Sequence, residues 1–213
     1  MSPRKPRFER HVPEVRRLRL IEATIECLKR YGHEGLSVRR ISAEAGVSIG
    51  LINHHFPTKN ALVAEAYRHF NAQLNQVIVD TVNHAPHSPR ERLRALFRSI
   101  FSPPNLDKDV LTVWIVLWGL YHHSREIQKV HEEAYGGYVE LLRELLAALQ
   151  KESGKFRINL RLAAIGAQAL LDGLWLEWCL DPDNFSPQEA VQLCEQWVDS
   201  LHPNGTSGRQ RRA

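Results

Sequence analysis

The sequence is poor in cysteine. Cys27, Cys179 and Cys194 are its three, and no two of them form a Cys-x-x-Cys pair. An odd, scattered set argues against a disulfide framework or a structural zinc site and suits a reducing compartment, the cytoplasm. No run of about 18 or more apolar residues occurs, which excludes a helical membrane span. The opening "MSPRKPRFERH" is charged and no apolar segment follows it, so it is not expected to be a secretory signal. No Gly-x-Ser-x-Gly, His-Glu-x-x-His or phosphate-cradling glycine loop is found, so neither an enzyme nor a cofactor is expected. Strand signals are equally scarce, and no pair of alternating segments flanks an Asn-Gly or Asp-Gly turn.

What is present is ordinary in bulk and uneven in place. The chain has 213 residues, 43% of them hydrophobic and 24% charged, enough to bury a core. Residues 1–62 carry 12 Lys/Arg against 6 Asp/Glu, whereas the remainder carries 16 against 18. A basic front joined to a slightly acidic body suits a polyanionic partner; a merely solvated basic arm is the alternative.

Helical periodicity recurs along the chain. Pro13 is placed to open a first helix bearing Leu20, Ile21, Ala23, Thr24, Cys27, Leu28 and Tyr31, with Gly32 as its stop. "SPRE" (88–91) and "SPQE" (186–189) each put Ser at an N-cap, Pro at the first helical position and Glu two further on, the pattern of a capping box. "SPPN" (102–105) and "DPDNF" (181–185) break helices. Residues 203–213 form a polar, basic tail expected to be disordered.

The run "SVRRISAEAGVSIGLINHHF" (37–56) has the form of a helix-turn-helix. Ser37 caps a short helix whose Val38, Ile41 and Ala45 share one face. Gly46 ends it, and Val47 plugs the turn. Ser48 caps a second short helix that turns Ile49, Ile52 and Phe56 inward and Gly50, Leu51, Asn53, His54 and His55 outward. A glycine inside a helix costs about 1 kcal/mol relative to Ala, and it makes sense where a partner must approach the backbone. Thr58 caps the next helix with Lys59 in its first turn. Free amides, a hydroxyl and a lysine together suit a DNA phosphate; three plain caps are the alternative reading. His54 and His55 are adjacent on a helix and diverge by about 100°, so they do not grip one metal as an i, i+4 pair would.

The stretch 37–62, "SVRRISAEAGVSIGLINHHFPTKNAL", resembles the DNA-binding segment of the TetR family of bacterial transcriptional repressors, and residues 15–31 fit that family's first helix. The resemblance implies an all-α protein: a basic arm (1–13), a three-helix DNA-binding domain (14–74), and a helical effector-binding and dimerisation domain (75–202). It implies double-stranded operator DNA as partner and DNA contacts at Ser37, Ser48, Gly50, Asn53, His54, His55 and Lys59. Two positions depart from the family pattern. Leu51 stands where Thr is common and suits a thymine methyl, and Asn53 stands where Tyr is common and suits adenine or a phosphate.

Four of the five tryptophans fall in two short stretches, "VWIVLWGLYHH" (113–123) and "LLDGLWLEWCLD" (170–181). Trp114 and Trp118 are spaced i, i+4; Trp175 and Trp178 are spaced i, i+3, with Asp172 one turn before. Such stripes are either core packing or an aromatic box for a cation, with Asp172 or Glu177 as countercharge. These stretches, with "SIGLINHHFPTKNAL", are similar to the branch of the family that includes the choline-responsive repressor of glycine betaine synthesis. That similarity implies a choline-like or other amine effector. The alternatives are a neutral or anionic effector, or an architectural DNA-binding protein with no effector.

Two apolar faces are expected to assemble a four-helix homodimer interface: Tyr138, Leu141, Leu142, Leu145 and Leu149 on one helix, and Leu160, Ala164, Ala167, Leu171 and Leu174 on another. Burial within one chain is the alternative. "YGGY" (135–138) is expected to kink the first of these helices. His122, His123 and His131 are expected at the surface.

Overall fold

A computed structural model describes residues 13–203, so all but the last residue of the basic arm and most of the tail lie outside the described residues. Among the described residues there are nine helices and no strand: α1 (Pro13–Gly35), α2 (Val38–Ala45), α3 (Ile49–His55), α4 (Lys59–His84), α5 (Pro89–Ile100), α6 (Lys108–Leu120), α7 (Arg125–Ser153), α8 (Leu160–Leu180) and α9 (Pro187–Ser200).

Local chemistry sets most of these boundaries. The buried side of α1 is Leu20, Ile21, Thr24, Cys27 and Leu28, and its helical backbone breaks at Gly32, where φ is 60°. Tyr31 lies outside that core, with the Arg40 guanidinium 4.7 Å above its ring. Gly46 ends α2 in the left-handed region at φ 65°, a conformation that glycine adopts without a Cβ penalty. The Val47 amide then donates to the Ser42 carbonyl, so the turn closes on orphan acceptors of α2. Ser186 and Glu189 form the reciprocal capping box at the start of α9. The matching signature at Ser88 does not form one: the Ser88 side chain caps nothing, and Glu91 pairs with Arg94 one turn on.

Three further expectations are corrected. Ile49 is 43% exposed, because the inner side of the seven-residue α3 is supplied by Ile52 and Phe56 alone. The glycine pair at 136–137 does not interrupt α7, which runs unbroken over 29 residues although both glycines are exposed and glycine has a low helix propensity. The two faces assigned to a dimer interface bury largely within the chain. Leu142, Leu145 and Leu149 on α7, and Ala164, Ala167 and Leu171 on α8, belong to the monomer core.

The 26-residue α4 is the central element: it packs on α1 at one end and on α5 and α7 along the rest. α1 also touches α6, which places the helix-turn-helix against the larger helical body. At the far side α8 and α9 pack closely. A Cβ on Gly166 would come within 2.6 Å of the Trp197 ring, so the fifth tryptophan fits only because position 166 has no side chain.

Candidate DNA-reading surface and effector cavity

Three helix starts surround α3. Ser37 accepts from the Arg40 amide, Ser48 from the Leu51 amide, and Thr58 from the Ala61 amide. All three are true caps, and each leaves further free amides at an exposed helix N-terminus. Gly50, Asn53 and His54 are exposed, and Leu51 and His55 are half-buried. A Cβ on Gly50 would meet nothing nearer than Ser48 Oγ at 3.8 Å, an ordinary contact, so internal packing does not demand glycine there. The two histidine rings sit edge to face, 5.3 Å apart. Burial, then the neighbouring charges of His54, Arg17 and Arg16, hold the His55 imidazole below its usual pKa. Lys59 is half-buried and its Nζ lies 3.4 Å from the Leu36 carbonyl, so it fastens α4 to the turn before α2.

Sequence reasoning missed Arg17. Its guanidinium lies 4.4 Å above the Phe56 ring, donates to the His55 carbonyl at 3.3 Å and pairs with Glu65 at 2.7 Å. One side chain of α1 thereby grips the C-terminal end of α3 and fixes it to α4. A basic residue at the front of a basic sequence gave no sign of this role, because its partners lie 38 and 48 residues away.

Between α4, α6, α7 and α8 lies a cavity of about 100 Å³. That is several times the roughly 10–15 Å³ needed for one water. Trp114, Trp118, Asp172 and Trp175 line it, as the aromatic-box reading requires. Trp178, one turn further along α8, is half-buried against the core and is not among the residues that line the cavity. Trp114 and Trp118 stack tilted at 5.7 Å, and Trp175 is anchored by an indole hydrogen bond of 3.0 Å to the Asn105 carbonyl. Gln168 donates to Asp172 at 3.4 Å.

The polar part of the wall beside Asp172 was not anticipated: Asn71, Asn75, Asn105 and Tyr138. Asn71 is buried and donates to the Ala134 carbonyl, and Asn105 donates to the Ser99 carbonyl. A signal did exist, since Asn71, Asn75 and Ile78 share one stripe of α4 amid apolar neighbours. No lysine or arginine is among the described residues that line the cavity.

His131 is also corrected. It is half-buried under α4, not a free surface residue: its Nδ1 lies 2.6 Å from the Tyr67 hydroxyl, and Tyr121 packs edge-on against its ring at 5.0 Å. His122 and His123 are exposed.

The comparisons with known proteins agree with this geometry. Residues 20–66 match the N-terminal domain of bacterial regulatory proteins of the tetR family, and residues 89–203 match the C-terminal domain of BetI-type transcriptional repressors. The BetI regulator of Vibrio vulnificus (strain YJ016) is 32% identical over 192 residues, 88% of this chain and 93% of that protein. The BetI regulator of Proteus mirabilis (strain HI4320) is 31% identical over 189 residues, 87% and 90% of the two chains. Among solved structures, a candidate transcriptional regulator of Pseudomonas aeruginosa PAO1 is 47% identical with a TM-score of 0.84, covering 92% of this chain and 94% of that one. A candidate regulator of Saccharomonospora viridis, solved in complex with choline, shares the fold at a TM-score of 0.76 and 24% identity, with 87% and 96% covered. The chain therefore belongs to the TetR family of transcriptional regulators, as a repressor of the BetI type.

Proposed function

We propose that this repressor leaves its operator when a small organic cation of the choline class occupies the tryptophan-walled cavity. The observation that carries this reading is the make-up of the wall: Trp114, Trp118 and Trp175 with the carboxylate of Asp172, and no basic side chain among the described lining residues. Tryptophan faces attract a quaternary ammonium by roughly 0.5–2 kcal/mol each once it is desolvated. A carboxylate supplies the countercharge. The choline bound to the related Saccharomonospora viridis protein supports the same ligand class.

In this reading residues 14–74 bind DNA and residues 75–202 sense the ligand, in a protein that acts in the cytoplasm. α3 enters the major groove with Gly50, Leu51 and Asn53 toward the bases, while Ser37, Ser48, His54, His55, Thr58 and Lys59 hold phosphates. A homodimer places two such helices about 34–36 Å apart on a pseudo-palindrome. Among the apolar side chains exposed on α8 and α9, Leu162 (42%), Ile165 (49%) and Leu193 (45%) are the surface we assign to the second copy in place of the buried faces, while Leu180 (64%) stands at the end of α8. Footprinting with and without choline tests the proposal. A symmetric footprint lost on adding choline is expected; a sequence-independent footprint, or one indifferent to every cationic ligand, overturns it.

A further inference from the structure

The cavity and α3 lie in different parts of the chain, yet a short series of contacts joins them. Trp114, in the cavity wall, packs edge-on against Tyr67 of α4 at 5.6 Å and against Phe70 at 5.7 Å. Tyr67 is 1% exposed, and its hydroxyl bonds His131 of α7 at 2.6 Å. The residues beside it on α4 also hold α7: Arg68 pairs with Glu133, and Asn71 donates to the Ala134 carbonyl. Two residues before Tyr67, Glu65 accepts from both Arg68 and Arg17, and Arg17 grips His55 and Phe56 at the end of α3.

The exposed ion pairs in this series are individually weak, because water screens them. The Tyr67–His131 bond differs: it is short and sheltered, and the Tyr67 ring rests on the tryptophan that a ligand would touch. Burying a tyrosine hydroxyl without a partner is costly, so that bond favours a single register of α4 against α7.

Resting on the effector reading above, we propose that Tyr67 and His131 are positioning residues that couple cavity occupancy to the orientation of α3. A ligand that displaces Trp114 removes the support of the Tyr67 ring, and the bond to His131 is remade only if α4 shifts against α7. That shift carries Glu65, and with it the Arg17 grip on α3. Coupling of this kind needs a continuous physical connection and two arrangements that the ligand distinguishes.

The test measures operator affinity in the full-length protein with Tyr67→Phe, which deletes one hydroxyl and keeps the ring. In the wild type, choline lowers operator affinity by a factor within the usual range of about 5–150. Tyr67→Phe is expected to bind operator and choline as before, with the factor reduced to within about twofold of unity, the margin for uncoupled sites. His131→Leu behaves like Tyr67→Phe, whereas His131→Asn, which restores a polar atom near the Nδ1 position, behaves like the wild type. A second arm needs no ligand. Trp118→Ala perturbs the cavity wall and reaches Tyr67 through Trp114, so it alters operator affinity in the wild-type background and not in the Tyr67→Phe background. A choline response intact in Tyr67→Phe, or a Trp118→Ala effect that is absent or equal in both backgrounds, overturns the coupling. If choline fails to release the wild type, the effector reading falls while the Trp118 arm still decides the coupling.

Discussion

Trp175 donates its indole N–H to the backbone carbonyl of Asn105 across 3.0 Å, and both residues wall the cavity. The tryptophan is 8% exposed, so it packs in the core and walls the cavity at once, and a role in packing does not exclude the proposed one in ligand binding. Trp175→Ala removes a large buried ring and orphans a buried carbonyl, and is expected to cost about 3–5 kcal/mol of stability. Trp118 is only half-buried, so Trp118→Ala should cost less stability than Trp175→Ala and weaken ligand binding more than folding. Denaturant unfolding beside calorimetric titration with choline separates the two. Equal unfolding midpoints for Trp175→Ala and the wild type would reject the dual role.

Gly50 offers a cleaner separation of fold from function. The 3.8 Å clearance to Ser48 Oγ leaves room for a methyl group, and alanine favours a helix over glycine by about 0.5–1 kcal/mol. Gly50→Ala should therefore be as stable as the wild type or slightly more so. If α3 meets DNA at this position, the same methyl group stands between backbone and partner, and operator affinity falls. Gel-shift titration next to thermal unfolding reads both quantities. Unchanged operator affinity in the more stable variant would mean that Gly50 does not face DNA.

The fold was legible where chemistry is local. Gly46, Ser37, Ser48, Thr58 and the Ser186–Glu189 box announce helix ends through bonds made within a few residues, and the structure makes those bonds. The tryptophan pair on α6 and the Asp172–Trp175 turn on α8 pointed to the cavity for the same reason: helical spacing fixes which side chains share a face. Spacing alone does not say what lies opposite that face. Leu145 and Ala167 have the same pattern whether their partner is another helix of the chain or a second copy, and the structure gives them the former. Ser88 shows the complementary limit: a correct signature lost its Glu91 to Arg94. Arg17 and His131 were hidden altogether, because their roles depend on neighbours 38 to 64 residues away.

Stability should fall in mild acid, with a share due to His131. Burial holds its imidazole below the usual pKa, the nearby carboxylate of Glu132 opposes this, and Tyr67 and Tyr121 face the ring. The unfolded chain takes up this proton near pH 6.5, before the folded one does. The stabilising contribution is thus fully present above about pH 6.5 and is lost as pH falls from there toward the depressed folded value. His55, also depressed by burial first, adds a slope of the same sign. Unfolding midpoints measured from about pH 7.5 to 5.5 should therefore decline more steeply for the wild type than for His131→Asn, which retains His55. Parallel profiles would show that His131 titrates alike in both states.

The cavity should also distinguish choline from glycine betaine. Both carry a trimethylammonium group, and betaine adds a carboxylate. The wall already holds one carboxylate, Asp172, and its described residues include no lysine or arginine to receive a second. Two like unit charges about 6 Å apart repel by about 3 kcal/mol at an effective dielectric of about 20. Allowing for partial hydration, this corresponds to a preference for choline of about tenfold to a hundredfold. Asp172→Asn keeps the shape of the side chain while removing its charge. The variant should lose choline affinity, because the countercharge is gone, and gain betaine affinity relative to it, because the repulsion is gone, so the gap closes from both sides. Competitive calorimetry with the two ligands on both proteins measures this directly. If betaine binds the wild type as tightly as choline, or if the gap survives in Asp172→Asn, the carboxylate is not what selects the ligand.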